Sequence, residues 1–134
     1  MIKVAAAIIE QNGQILVFKR GAGGVCEFLW EFAGGKLEEG ESPNEALVRE
    51  CREELDIEVE PVSLYDEFAF DYPDRTIYFY FIRTKIISGD IKLNVHLDMK
   101  WIKPEDMIIS EFCPADEKVI KKLMKEYTNG NNND

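Results

Sequence analysis

The chain reads as a mixed α/β (α+β) domain, and three observations predict it. Residues 2–9 (IKVAAAII) and 14–19 (QILVFK) are apolar, β-prone segments joined by Asn12-Gly13, a pair suited to a tight hairpin. Residues 43–55 carry a helical apolar stripe behind a strong start signal. Downstream, segments rich in β-branched and aromatic residues resume at 62–71 and 75–86, around a Pro73-Asp74 turn.

The order of elements follows from these signals. GAGGVCE (21–27) reads as a flexible loop ahead of a strand fragment at Trp30–Phe32. Gly34 and Gly35 then supply a sharp turn that exposes carbonyls near the helix. Ser42 is the expected N-cap, Pro43 occupies the first helical position, and Glu45 completes a capping box. Ala46, Leu47, Cys51 and Leu55 form the stripe that docks the helix. Ser88-Gly89-Asp90 marks another turn, 98–102 (DMKWI) a last strand, and 114–126 a second helix. One domain over residues 1–127 is expected, followed by a disordered polar tail, 128–134 (TNGNNND).

Composition narrows the function classes. With 134 residues, 46% hydrophobic and 31% charged, the chain has the balance of a soluble globular domain. A formal charge of −10 argues against nucleic-acid polymers, because no basic surface replaces phosphate counterions. Cys26, Cys51 and Cys113 lack metal-site spacing, which fits a reduced cytoplasmic setting. No signal peptide or membrane-length apolar run is evident, so no membrane partner is expected.

The chemistry concentrates in Gly35–Ile57, GKLEEGESPNEALVRECREELDI. Residues three and four apart share a helix face, so Glu50, Glu53 and Glu54 project together. Three carboxylates on one face repel unless a cation sits among them. A hard divalent ion suits oxygen ligands: Mg²⁺ above all, with Mn²⁺ as a substitute, and Mg²⁺ commonly accompanies phosphates. A glutamate-rich helix is more often a solvated helix laced with ion pairs such as Arg49–Glu53. The wider spacing Gly35, Glu41, Arg49, Glu50, Cys51, Glu53, Glu54, Ile57 reverses that balance. Chance would produce it on the order of once in 10⁵ such chains.

This spacing resembles the signature of the Nudix hydrolases. WEFAGGKLE before it, YPDRTIYFYF after it and CPADEKVIKKL near the C-terminus are similar to the MutT-like branch, across roughly residues 2 to 126. Cys51 stands where the signature usually has an aliphatic residue, and Asp56 where it has glycine. The resemblance implies the Nudix fold, a mixed sheet sandwiched between helices. It also implies Mg²⁺-dependent hydrolysis of a nucleoside triphosphate to the monophosphate and pyrophosphate. The Gly34 carbonyl would join Glu50, Glu53 and Glu54 around the metal. Arg49 would orient a catalytic glutamate, with Glu41 bracing the loop and helix. Many relatives carry a further glutamate at the position of Val95; here Glu53 or Glu54 would have to act as general base, with His96 or Asp98 as possible stand-ins.

Base recognition rests on scattered residues. Arg20, by resemblance, lies near phosphate or base. Phe32 is placed to stack, with Gly35 and Lys36 beside it in the glycine turn, and Tyr72, Asp74 and Arg75 to close the side. Asp116 replaces the asparagine of oxidised-guanine-specific relatives. An ionised Asp only accepts hydrogen bonds, which favours a cytosine amino group or guanine N–H donors. It also stands near a helix start, where it would favour the dipole without touching a ligand. WEFAGGK and this Asp look closest to the CTP pyrophosphohydrolase branch, leaving cytosine and oxidised purine nucleotides as candidates. Two alternatives remain: another nucleoside diphosphate derivative (an ADP-sugar or dinucleoside polyphosphate), or a catalytically silent nucleotide-binding module. Monomer and homodimer are equally compatible with the sequence.

Overall fold

The structure, a computed structural model, describes residues 1–132, with side chains to Thr128. Seven strands are present: β1 (Ile2–Gln11), β2 (Gln14–Lys19), β3 (Trp30–Glu31), β4 (Ala33–Lys36), β5 (Glu58–Tyr72), β6 (Arg75–Ser88) and β7 (Asp98–Ile102). Helix α1 spans Pro43–Leu55 and α2 spans Glu117–Asn132, the latter preceded by three short 3-10 turns from Pro104 onward.

Strand β1 organises the sheet. It runs parallel to β6, from Ile2 opposite Ile77 to Ile9 opposite Thr84, and antiparallel to β4, from Val4 opposite Lys36 to Ala7 opposite Ala33. Its far end turns through Asn12 and Gly13, both at positive φ, into β2, which pairs with β3 and β7. Alternation along β1 splits the core into two layers. Ala6 and Ile8 join Ile77, Phe79, Phe81 and the α2 residues Val119, Ile120 and Leu123. Ala5, Ala7 and Ile9 join Leu16, Phe18 and the α1 residues Ala46, Leu47, Cys51 and Leu55. The mixed sheet is therefore sandwiched between helices, as the resemblance implied.

Helix α1 begins and ends where its residues dictate. Ser42 Oγ accepts from the Glu45 amide (3.1 Å), while Glu45 Oε1 accepts from the Ser42 amide (2.9 Å). At the other end Asp56 adopts the left-handed conformation (φ 57°) and its amide donates to Arg52 O, so it caps the helix in glycine's place. The last carbonyls are covered by the segment after β6: Lys92 N donates to Leu55 O, Asn94 N to Glu54 O and Asn94 Nδ2 to Glu53 O.

Two expectations are corrected. The Gly34-Gly35 pair lies within strand β4, not at a sharp turn, because close backbone approach is what its glycines permit. A Cβ on Gly34 (φ 150°) would lie 1.9 Å from Ala5 O. Helix α2 starts three residues later than 114, after a 3-10 turn at Pro114–Asp116, and continues to Asn132. Thus residues 128–132 of the expected polar tail are helical, and Asn133 and Asp134 lie outside the described residues. No helix among the described residues is long and apolar enough to cross a membrane.

The β4–β1 contact yields a direct test. Gly34→Ala must displace backbone in the sheet, at a cost of roughly 3 kcal/mol or more. Its thermal midpoint should fall by about 10 °C or more; a variant melting with the parent chain would show that the approach is not tight.

Candidate active site

Helix α1 presses its polar face onto β4, and the absence of a Cβ at Gly35 makes room for a carboxylate there. A Cβ at that position would sit 2.4 Å from Glu50 Cδ. Arg49 gathers the surrounding acids. Its Nε and Nη2 donate to the two Glu41 oxygens (2.8 and 2.9 Å), and Nη1 donates to Glu50 Oε1 (2.9 Å) and Glu53 Oε2 (3.3 Å). Nη2 also donates to Lys36 O (2.9 Å), tying the helix to the end of β4. Glu41 in turn accepts from the Glu38 amide (2.9 Å). These bonds raise the Arg49 pKa and, through the Arg49 hydrogen bonds above all, hold Glu41 down at about 2. The forked, doubly bonded pair is the strongest form of such contact.

Glu54 sits on the buried flank of the same face. Burial first, then the adjoining Glu50 carboxylate, pushes its carboxyl up to about 9. A buried carboxyl raised this far beside a second carboxylate favours its protonated form when no cation is near. That is the donor set a divalent ion would replace the proton in, and the space left at Gly35 keeps Glu50 within reach of the strand. Glu53 is more exposed (60%) and turned toward Arg49. Among the described residues no three such side chains already close on one point.

His96 occupies an unexpected place. Val95, where the resemblance implies a further glutamate, is exposed and contributes no carboxylate. The neighbouring His96 is buried against Phe18, with Nε2–H donating to Glu31 Oε2 (2.9 Å) and Nδ1 3.6 Å from Glu54 Oε2. Asn94, bonded to the α1 carboxyl end, carries the loop that brings it there. Asp98 is exposed and accepts from the Met99 amide.

A cavity opens beside Gly34 and Gly35 and runs to Asp116, walled by Arg20, Phe32, Tyr72 and Arg75. Phe32 also packs edge-to-face on Phe81, so the core holds its ring. Two expected contacts lie outside this cavity. Lys36 ends β4 with its side chain exposed, offering only its carbonyl, to Arg49. Asp74 sits at the exposed tip of the β5–β6 hairpin. Conversely, Glu31, Cys26 and Cys113 line the cavity without having been singled out as site residues. An acid between Trp30 and Phe32 was the available signal for Glu31. Glu31 Oε1 accepts from Arg20 Nη1 (3.1 Å), leaving Arg20 Nε buried and unpartnered.

Asp116 lies at the far end of this cavity. It is buried, its Oδ2 has no partner, and its carboxyl is pushed well above the ordinary range by burial, then by Glu31 and Cys26. Burial thus favours the protonated form, which offers one O–H donor and one carbonyl acceptor where the sequence suggests an acceptor-only carboxylate.

The family model of the NUDIX domain matches residues 1–123. The chain belongs to the Nudix family. A CTP pyrophosphohydrolase of Escherichia coli is 37% identical over 124 residues, covering 92% of each chain. An 8-oxo-dGTP diphosphatase of Haemophilus influenzae is 35% identical over 130 residues, covering 96% of each. Among solved structures, the E. coli ORF135 protein superposes with TM-score 0.79 at 36% identity, covering 93% of this chain and 89% of that one. The chain is thus a Nudix hydrolase of MutT-like type.

The Asp116 proton sets a pH signature for this Nudix domain. A carboxyl raised above its unfolded value of 3.8 contributes stability that is full below that value and is lost as pH rises toward the folded pKa. Asp116→Asn keeps the shape without the ionisation. Melting curves of the two should differ least near pH 4 and diverge toward neutral pH, with the Asn variant gaining. A constant offset across pH would contradict a protonated Asp116.

Proposed function

We propose that this chain is a Mg²⁺-dependent nucleoside-triphosphate pyrophosphohydrolase that takes cytosine nucleotides first and oxidised guanine nucleotides second. The observation that carries the reading is continuity. One cavity runs from the neutral Asp116 to Gly35, and the Glu50 carboxylate rests against Gly35 from the other side. A base at the Asp116 end would bring its phosphates to the acidic face of α1. When bound by Glu50, Glu53, Glu54 and the Gly34 carbonyl, Mg²⁺ supplies phosphate charge neutralisation and a more acidic water; Mn²⁺ fits the same oxygen donors.

The chain's own residues do the rest. Arg49 holds Glu53 and Glu50 in register while Glu41 holds Arg49. Glu53, the exposed member, takes the proton of the attacking water. The water adds to phosphorus, a phosphoanhydride bond breaks, and the nucleoside monophosphate and pyrophosphate leave. At the other end, the Asp116 O–H suits cytosine N3 and its carbonyl suits the N4 amino group. Arg20 Nε, a buried donor without a partner, suits O2. The names of the two relatives described above support both base classes. The second class rests on the same acid, which can donate to O6 of 8-oxoguanine while accepting from a ring N–H.

Pyrophosphate release across CTP, dCTP, 5-methyl-dCTP, dGTP, 8-oxo-dGTP, ADP-ribose and a dinucleoside polyphosphate tests the reading. CTP or dCTP should lead, with 8-oxo-dGTP well above dGTP; preference for ADP-ribose or a dinucleoside polyphosphate would overturn it. Glu53→Gln should cut kcat by about 10²–10⁴-fold, the usual range for a lost general base, while the fold is retained. Unchanged weak turnover in that variant would mark a nucleotide-binding module instead.

A further inference from the structure

Two of the three cysteines meet in the cavity that the proposed function assigns to the base. Cys26 lies in the Gly21–Leu29 loop, where Gly23, Gly24 and Phe28 all have positive φ. Cys113 lies at the end of the segment leading to α2 and is pinned there, its amide donating to Trp30 O (3.0 Å). Both thiols border this one cavity, and each is the largest single influence on the other's proton affinity. Cys26 Sγ is also 3.9 Å from the Tyr72 hydroxyl, and Cys113 Sγ is 4.0 Å from Glu31 Oε1. Both are largely covered by protein, yet both line the wall of the open cavity, which a molecule the size of water can enter.

Their environments differ in the way a reactive pair requires. Cys113 lowers the Cys26 pKa most; burial opposes this, and Tyr72 and Arg20 add to it, leaving Cys26 at about 7. Cys113 is raised in turn, by Cys26 first. A thiolate beside a second thiol is the arrangement in which an oxidised sulfur is resolved within the protein. Cys51 provides the contrast: it is sealed under α1, and burial pushes it up to about 12.

We propose that Cys26 and Cys113 are a hydroperoxide-sensitive dithiol whose oxidation to a disulfide reversibly obstructs the nucleotide cavity. The Cys26 thiolate attacks one peroxide oxygen; the O–O bond breaks, giving a sulfenic acid and hydroxide. The hydroxide takes the Cys113 proton as water. The Cys113 thiolate then attacks the Cys26 sulfur, the S–O bond breaks, and the second oxygen leaves as water with the remaining proton. Two thiols and one peroxide give one disulfide and two waters. The cross-link replaces the thiol contacts with Tyr72 and Glu31 and draws the glycine-bearing loop onto the Asp116 wall. The obstruction, though not the bond, rests on the nucleotide reading above.

Intact mass, with peptide mapping after alkylation under denaturing conditions, reads the bond without reference to activity. Hydrogen peroxide should remove the mass of two hydrogens and link the Cys26 and Cys113 peptides, while Cys51 remains a free thiol. Dithiothreitol should reverse it. In Cys113→Ser, peroxide should leave a Cys26 sulfenic acid trapped by dimedone and no mass loss of two hydrogens. Calorimetric titration with CTP and 8-oxo-dGTP should show affinity about tenfold or more weaker in the oxidised protein, a loss of about 1.4 kcal/mol or more. Absence of the linked peptide, or a Cys113→Ser protein that still loses two hydrogens, overturns the pairing. A bridge that leaves affinity unchanged overturns the obstruction. Reduced protein that binds neither nucleotide yet still forms the bridge removes the functional reading and leaves the thiol pair standing.

Discussion

The Arg49 guanidinium is the contact on which the acidic face of α1 depends. It bonds Glu41, Glu50 and Glu53 and the carbonyl of Lys36, so one side chain joins the loop before the helix, the helix itself and the end of β4. Without it, carboxylates brought this close would repel and pull the helix from the strand. Surface ion pairs are ordinarily worth little. This one differs because it is forked, multiply bonded and only partly exposed. It leaves Glu54, on the buried flank and away from the guanidinium, as the member whose carboxyl burial pushes up.

The same logic of approach governs the rest of the site. Gly34 lets β4 come against β1, and Gly35 lets Glu50 come against β4. Covering the last carbonyls of α1 with the Lys92–Asn94 segment then fixes His96 between Glu31 and Glu54. Each contact is short-range, yet together they connect the acidic face of α1 to the cavity through Glu31, which Arg20 and His96 share.

Helix α1 was legible in the chain because its determinants are local: a capping box at one end, an aspartate able to adopt positive φ at the other, and a four-residue apolar stripe between. The carboxylate face followed from helical spacing alone. What was not legible depends on partners distant in sequence. Strand β4 looked like a turn because its two glycines answer to Ala5 and Glu50, neither of which adjoins it. Asp116 looked ionised because nothing in CPADEK reveals that it will be fully buried beside Glu31. His96 resembled an ordinary loop residue until the segment carrying it was seen bonded to the α1 carboxyl end. Lys36 and Asp74 were grouped with the site by proximity in sequence, and strand direction and hairpin geometry carry their side chains away from it.

The alternation of β1 has a consequence for how such a domain can diversify. Its odd residues pack on the α1 side and its even residues on the α2 side, so the two helices scarcely share side-chain neighbours. Phe32, Ile77 and Phe79 fall in the α2 layer, whereas the acidic face of α1 is held by the other. On the proposed reading, substrate choice can drift through repacking on one side of a strand with the reaction chemistry held on the other, the two meeting chiefly through Glu31. A single run of small alanines serves as the partition between what the domain does and what it does it to.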